Sequence, residues 1–182
     1  MPTWVCLLRA VNLGKQRKVP MPALRTALAA AGLTEVRTYL QSGNVIARSP
    51  LRAHQQVADL VRSAIATEFS LDVPVITRRP AEIDDVIAAN PFPAQAAQHA
   101  HLIRVIFLAA APQADRTDRL MSDSSLHETC RVIGSHVYVD YLRGYHGTGR
   151  TAPYFTRALG VEGTERNWRT VLALSALAHE SG

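Results

Sequence analysis

The sequence has few cysteines, few aromatic residues and no long hydrophobic run. The two cysteines, Cys6 and Cys130, are too few for a disulfide-rich secreted scaffold, and both stand in apolar stretches, which predicts buried free thiols. No apolar stretch approaches the roughly 20 residues that a membrane-spanning helix requires, and residues 1–4 carry no basic leader. We therefore expect a cytoplasmic protein with no membrane partner.

Residues that carry chemistry are also sparse. His99 and His101 are two apart and would share one face of a strand, but no further ligand cluster completes a metal site, so we predict none. No nucleophile with an adjacent base is evident. The sequence therefore assigns no catalytic residue and no cofactor, and it leaves the oligomeric state open.

The charge balance favours anionic partners only weakly. The net charge of +5 comes from 20 Lys plus Arg against 15 Asp plus Glu, without a run of like charges that would form a polybasic tail. Nucleic acid is one such partner. However, RNA-binding sheets usually stack bases on exposed aromatic side chains, and only 6% of this chain is aromatic. Phosphate contacts by arginines remain the nucleic-acid alternative.

The first part of the chain follows a βαββαβ order, the arrangement of a ferredoxin-like domain. Short apolar runs predict strands, and apolar residues at helical spacing predict helices. The predicted elements are a strand at 3–9, a helix at 21–31, a hairpin at 36–48, a helix at 54–69 and a strand at 73–77.

The rest of the chain partly repeats this order, without a clear last strand. Its predicted elements are a linking helix at 81–89, a strand at 102–109, a helix at 115–121, a hairpin at 130–141 and helices at 153–159 and 168–178. The fold class is therefore α+β, a tandem duplication of ferredoxin-like halves with C-terminal helices. We place the halves at 1–79 and 80–182 and expect them to pack as one unit, because the first strand of each is apolar on both faces.

Polar residues gather at one edge of the first predicted sheet. In this topology the end of the first strand, the start of the first helix and the hairpin turn all lie at the same edge. The amino terminus of that helix favours a phosphate or a carboxylate. The candidate ligand-binding residues here are Arg9, Asn12, Lys15, Lys18, Gln41, Ser42 and Asn44.

A purely structural interpretation of the hairpin turn stands beside the functional one. Gly43 and Asn44 both tolerate the positive φ angles that a tight turn requires. A generic turn would not need Gln41 and Ser42 as well. The sequence leaves both interpretations open.

Two further segments contribute candidates. In "GTGRTAP", residues 147–153, Arg150 precedes a helix, but the segment lacks the spacing and the terminal lysine of a P-loop, and Thr151 suits a simple helix cap. In "TERNW", residues 164–168, Thr164 is the predicted helix cap, and Arg166 with Asn167 belongs either to the surface or to a site.

The segment from Leu7 to Ala47, which contains "YLQSGNV", together with "RNWRTV" near the carboxyl end, resembles the uncharacterised bacterial proteins of domain-of-unknown-function family 1697. The resemblance implies two ferredoxin-like halves and brings no established activity, cofactor or catalytic residue. The first loop of such proteins often has paired glycines where this chain has Gly14 and Lys15. In such proteins a lysine often follows the segment that corresponds to residues 149–151, where this chain has Ala152 and Pro153.

The leading functional hypothesis is a binding protein or enzyme for a small anionic or nucleotide-like ligand. One alternative is nucleic-acid binding through phosphate contacts, and another is a protein-interaction module without catalysis. A salt titration of binding to random oligonucleotides separates the nucleic-acid alternative from the others, because phosphate contacts give a steep salt dependence.

Overall fold

A computed structural model of the chain describes residues 1–14, 17–123, 129–141 and 150–180. Its helices and strands follow one another as β1 (Thr3–Leu8), α1 (Met21–Ala30), β2 (Thr34–Tyr39), β3 (Asn44–Arg48), α2 (His54–Phe69), β4 (Val75–Arg78), α3 (Pro80–Ala88), α4 (Pro93–His99), β5 (Ile103–Leu108), α5 (Ala114–Met121), β6 (Thr129–Ile133), β7 (His136–Asp140), α6 (Ala152–Leu159), β8 (Gly163–Asn167) and α7 (Trp168–His179).

The first sheet has the strand order β2-β3-β1-β4, and all its pairings are antiparallel. Within it, Val5 of the central strand lies opposite Ile46 on one side and Arg78 on the other. Side chains alternate along each strand, so every second residue of β1 faces α1 and α2. The core on this face includes Trp4, Cys6, Leu8, Leu24, Leu28, Val57, Val61 and Ile65.

The second sheet has the order β6-β7-β5-β8 and is also antiparallel. Its register matches that of the first sheet, since Val105 lies opposite Tyr138 and Arg166. Helices α5 and α6 cover one face through a core that includes Ile106, Leu108, Val139, Phe155 and Leu159. The described chain is thus α+β, with two four-stranded antiparallel sheets and seven helices.

Contacts between Cα atoms divide the chain into two compact units. The first unit is Met1–Asp84 together with Ala173–Gly182, and the second is Asp85–Leu172. In the first unit, Arg37 of β2 pairs with Glu180 at 3.2 Å, so the end of α7 belongs with the first sheet. The sequence-based boundary between residues 79 and 80 stays a prediction.

Two elements differ from the sequence-based expectation. Residues 163–167, expected to be a loop and a helix cap, form β8 and pair with β5 from Arg104 to Leu108. The second sheet therefore does have a last strand. Residues 93–99, where the sequence predicted no helix, form α4, so His99 ends a helix and does not share a strand face with His101. Both errors have the same cause: these segments lack the apolar periodicity that marks the other elements.

The prediction of buried free thiols is confirmed for Cys6 and Cys130. Within the described ranges, no helix is both long and apolar enough to cross a membrane.

The two sheets differ in the loops at one end. The connection from β1 to α1 spans residues 9–20, whereas the matching connection from β5 to α5 spans only residues 109–113. The turn from β2 to β3 spans residues 40–43, whereas that from β6 to β7 is only Gly134 and Ser135. The first unit therefore carries extra chain at this end of its sheet, beyond what the strand order requires.

Candidate functional site

Three loops meet at one end of the first sheet, and we call residues 9–14, 17–20, 40–43 and 70–74 the loop edge. The amide of Leu8 donates to the Gly43 carbonyl at 2.8 Å, and the amide of Arg9 donates to the Pro74 carbonyl at 3.0 Å. Nη2 of Arg17 donates to the Asp72 carbonyl at 2.6 Å. The end of β1 and the residue after it thus hydrogen-bond to the loops at 40–43 and 70–74. Arg17, in the loop between β1 and α1, hydrogen-bonds directly to the loop at 70–74.

Asn12 joins the first loop to the hairpin turn. Its Nδ2 donates to the carbonyl of Gln41 at 2.7 Å and to that of Val19 at 2.9 Å. Its Oδ1 accepts from the Val19 amide at 2.8 Å. Because all these partners are backbone groups, Asn12 fixes the shapes of two loops at once. Its role at the loop edge is to position other residues.

Asn44 and Gly43 build the turn itself. Asn44 is fully buried, and its Nδ2 donates to the Tyr39 carbonyl at 2.8 Å and to Ser42 Oγ at 3.0 Å. Gly43 has a φ of +77°, and a Cβ atom at this position would lie 2.6 Å from the Cβ of Leu8. The structural interpretation of the turn therefore accounts for these two residues.

Gln41, Ser42 and Lys18 are exposed at the loop edge, and Arg9 is partly exposed. Among the described residues, the side chains of Gln41 and Lys18 have no hydrogen bond or ion pair. Their polar groups are therefore open to solvent and to a ligand. The predicted candidate Lys15 lies outside the described residues.

The loop edge has an excess of positive charge. The described residues 9–14 and 17–20 contain three basic residues and no acidic one, and residues 40–43 carry no charge. The nearby Asp72 is paired with Arg62 at 2.6 Å, and the hydrogen bond from this guanidinium lowers the pKa of Asp72. The α1 helix adds to the positive potential, because it starts without a side-chain cap and without an acidic residue in its first turn.

Backbone conformations that side chains disfavour are concentrated in the same loops. A left-handed conformation costs a residue other than glycine roughly 1–2 kcal/mol. Of the six such residues with positive φ in the described chain, only Glu35 lies outside the loop edge. Ser70 ends α2, which is a common place for this conformation. The other four belong to the two extended loops of the first unit, namely Ala10, Asn12, Arg17 and Leu40.

Arg166 and Asn167, the candidates from "TERNW", take structural positions in the second unit. Arg166 is buried in β8, and its Nη1 donates to Thr164 Oγ1 at 2.8 Å and to the Glu165 carbonyl at 2.7 Å. Burial lowers the pKa of Arg166 to about 10. The predicted helix cap at Thr164 is wrong, because Thr164 lies within β8. Asn167 caps α7 instead, since its Oδ1 accepts from the Arg169 amide at 2.8 Å.

Arg150 lies over the ring of Tyr154, with its Cζ atom 5.4 Å from the ring centroid. Tyr154 lines a groove of about 510 Å³ beside α5 and α6. Two acidic residues, Asp115 and Asp123, and two basic ones, Arg116 and Arg119, line the groove, so their charges balance. The groove therefore shows no preference for an anion.

A polar cluster that the sequence did not suggest lies at the opposite end of the first sheet, where β4 ends and α2 begins. Nδ1 of His54 is 3.1 Å from Thr77 Oγ1, and Nε2 of His54 is 3.4 Å from Glu82 Oε2. Trp4 packs edge-on against His54, and the Arg79 guanidinium lies 3.5 Å from the centroid of the Trp4 ring. The order hydroxyl, imidazole and carboxylate is that of a nucleophile with its base. However, Thr77 is only 4% exposed, so its hydroxyl cannot reach a substrate.

We expect Thr77→Val to lower Tm by roughly 2–4 °C. Thr77 Oγ1 donates to the His54 carbonyl at 3.2 Å, and losing this buried bond costs about 1 kcal/mol. The matched control is Thr67→Val on the exposed face of α2, which should leave Tm nearly unchanged. Thermal unfolding followed by circular dichroism compares the two. An unchanged Tm for Thr77→Val would show that the cluster does not hold α2 to β4.

The fold is similar to the solved structure of the conserved bacterial protein SP0830 from Streptococcus pneumoniae, with a TM-score of 0.72. The alignment covers 97% of this chain and 98% of that chain at 18% sequence identity, so the likeness concerns the fold alone. No curated protein matches the chain. The sequence model of one family, described as a protein of unknown function, DUF1697, matches residues 1–138. The chain belongs to this family.

The DUF1697 match confirms the resemblance drawn from the residues of the sequence. It includes the whole loop edge, whereas Arg150, Arg166 and Asn167 lie beyond the matched residues. The family description assigns no activity.

Proposed function

We propose that this DUF1697 protein binds a small anionic ligand at the loop edge, through Lys18, Arg9, Gln41 and Ser42. The comparison of the two sheets carries the proposal. Both have the same strand order and register, yet only the first has the long β1–α1 loop and the four-residue turn. Loops held on a rigid scaffold commonly carry binding residues, and loops longer than the fold requires are often functional.

Asn12 supports the same proposal. The two extended loops are joined by its hydrogen bonds, so Lys18 and Gln41 are presented from segments whose backbones are fixed to each other. Such preorganisation lowers the entropy that a ligand loses on binding. The local excess of basic residues selects for an anion.

Within the same proposal, we assign both halves to a duplicated ferredoxin-like fold. The βαββαβ order in each half and the shared strand order support this assignment. A cytoplasmic location stays a prediction.

The test is a thermal-shift screen of the wild-type protein with phosphate, nucleotides and small carboxylates. A ligand that binds only the native state raises Tm by mass action, whatever the reaction. For any compound that stabilises the protein, we expect Gln41→Ala and Lys18→Ala each to lower its affinity about tenfold, because a hydrogen bond to a charged group contributes roughly 1.5–3 kcal/mol. Gln41→Ala is the cleaner variant, since Ser42 also accepts a bond from the buried Asn44.

Two surface variants outside the loop edge serve as controls. Gln98 and Arg169 are exposed residues of the second unit, and their alanine variants should bind the same compound as the wild type does. If Gln41→Ala and Lys18→Ala also bind it unchanged, the loop edge is not the site. Tight, strongly salt-dependent binding of random oligonucleotides would favour the nucleic-acid alternative.

A further inference from the structure

The loop edge exposes two leucines beside its basic residues. Leu13 is 67% exposed and Leu40 is 55% exposed. Each is adjacent in the chain to one partner of the 2.7 Å hydrogen bond between Asn12 and Gln41. The two exposed leucines therefore flank a hydrogen bond that ties their loops together, whereas single exposed apolar residues elsewhere need no explanation.

The backbone of Leu40 makes its exposure more informative. Leu40 has a φ of +57°, a strained conformation for a bulky side chain. The two-residue turn of the second unit also starts with a residue of positive φ, but that residue is Gly134, with a φ of +55°. Each residue directly follows the last paired residue of its strand, Tyr39 in β2 and Ile133 in β6.

A glycine would therefore serve the turn at position 40 without strain and without an exposed apolar side chain. Neither cost is offset by burial, because more than half of Leu40 is exposed. Strain that the fold does not need is typical of binding sites.

We infer that the ligand of the loop edge is an amphipathic organic anion, whose charged group lies at Lys18 and Arg9 and whose apolar part covers Leu40 and Leu13. This inference rests on the proposed anion-binding function and specifies its ligand class. Charge complementarity identifies the occupant, since Leu13 lies within the basic and acid-free segment of residues 9–20 and the Asn12–Gln41 hydrogen bond ties the loop of Leu40 to it.

The experiment measures the affinity of the full chain for monoalkyl phosphates of equal charge and increasing length, from methyl to hexyl, with inorganic phosphate as reference. We expect Kd to fall about fourfold for each methylene group that becomes buried. In Leu40→Gly this dependence on chain length should be reduced, while the affinity for inorganic phosphate stays as in the wild type. Ile133→Ala, which changes an exposed apolar residue of the second hairpin, should leave the whole series unchanged.

Thermal stability separates this effect from damage to the fold. Leu40→Gly relieves the strained backbone, so its Tm should equal or exceed that of the wild type, by up to roughly 4 °C. A variant that is at least as stable but has lost the chain-length dependence supports the inference.

Other results would overturn the inference. If hexyl phosphate and inorganic phosphate bind equally, and Lys18→Ala weakens both, then anion binding stands and the apolar contact is refuted. If uncharged hexanol binds as well as hexyl phosphate, the ligand need not be an anion. If no phosphate binds but vesicles containing anionic lipid do, the loop edge is a membrane-docking surface. If neither phosphates nor vesicles bind, the proposed function fails together with the inference.

Discussion

Replacing Gly43 by alanine should destabilise the protein by about 3 kcal/mol. At a φ of +77°, the new Cβ atom would lie 2.6 Å from the Cβ of Leu8 and 2.7 Å from Cγ2 of Val11. Both neighbours are buried, so they cannot move aside freely. The cost combines left-handed strain of roughly 1–2 kcal/mol with overpacking of roughly 1–3 kcal/mol. Urea unfolding measures it directly, and Tm should fall by roughly 6–12 °C.

The second hairpin supplies the matched control for this substitution. Gly134 also has a positive φ, but no atom lies within 4 Å of the position that a Cβ would take. Gly134→Ala should therefore cost only the backbone strain, about 1 kcal/mol. Equal losses of unfolding free energy in the two variants would show that the close approach of residue 43 to Leu8 and Val11 adds nothing to the cost of the substitution. The comparison also identifies Gly43 as unsuitable for testing ligand binding, because its replacement disturbs the fold.

The second large effect is a loss of stability at high pH caused by Cys6. Burial raises the pKa of the Cys6 thiol to about 12, whereas a thiol in an unfolded chain ionises at about pH 8.5. The native state therefore keeps a proton that the unfolded state releases. This contribution to stability is complete below pH 8.5 and is lost as the pH rises towards 12. At pH 10 the loss is on the order of 2 kcal/mol.

Urea unfolding of the wild type and Cys6→Ala under reducing conditions, at pH 7 and pH 10, isolates this contribution. The variant will be less stable at both pH values, because the smaller side chain leaves a cavity in the core. The decrease in unfolding free energy between the two pH values should nevertheless be smaller in Cys6→Ala than in the wild type. Equal decreases would contradict the buried, protonated thiol. As a check, a thiol reagent should modify native Cys6 only after denaturant is added.

Much of the first unit could be predicted from local patterns in the sequence. The bounds of α2 agree with the prediction at both ends, because Val57, Val61 and Ile65 repeat at the spacing of one helix face. β1 differs from the predicted strand only at Arg9, because an unbroken apolar run marks a strand buried on both faces. β8 escaped detection, since "GTERN" has neither an apolar run nor an alternating pattern and becomes a strand only by pairing with β5.

Only part of the candidate site could be predicted from the sequence. Topology predicted that the loop after β1 and the hairpin turn would meet, because β1 lies beside β3 in any βαββαβ sheet of this order. The separate roles of the polar residues could not be predicted. Asn12 and Asn44 have the same side chain, and only their hydrogen-bond partners show that Asn12 ties two loops together and that Asn44 holds the turn.

The sequence by itself determined the family, most of the element order, the buried thiols and the positive charge of residues 9–20, because these depend on composition and on short-range periodicity. The tertiary structure alone decided that Arg166 is buried in a strand, that Gly43 contacts Leu8, and that Leu40 takes a strained conformation with its side chain exposed. The first two features arise from contacts between residues far apart in the chain. Local preference would place a glycine at position 40, and no burial of the Leu40 side chain offsets its left-handed conformation.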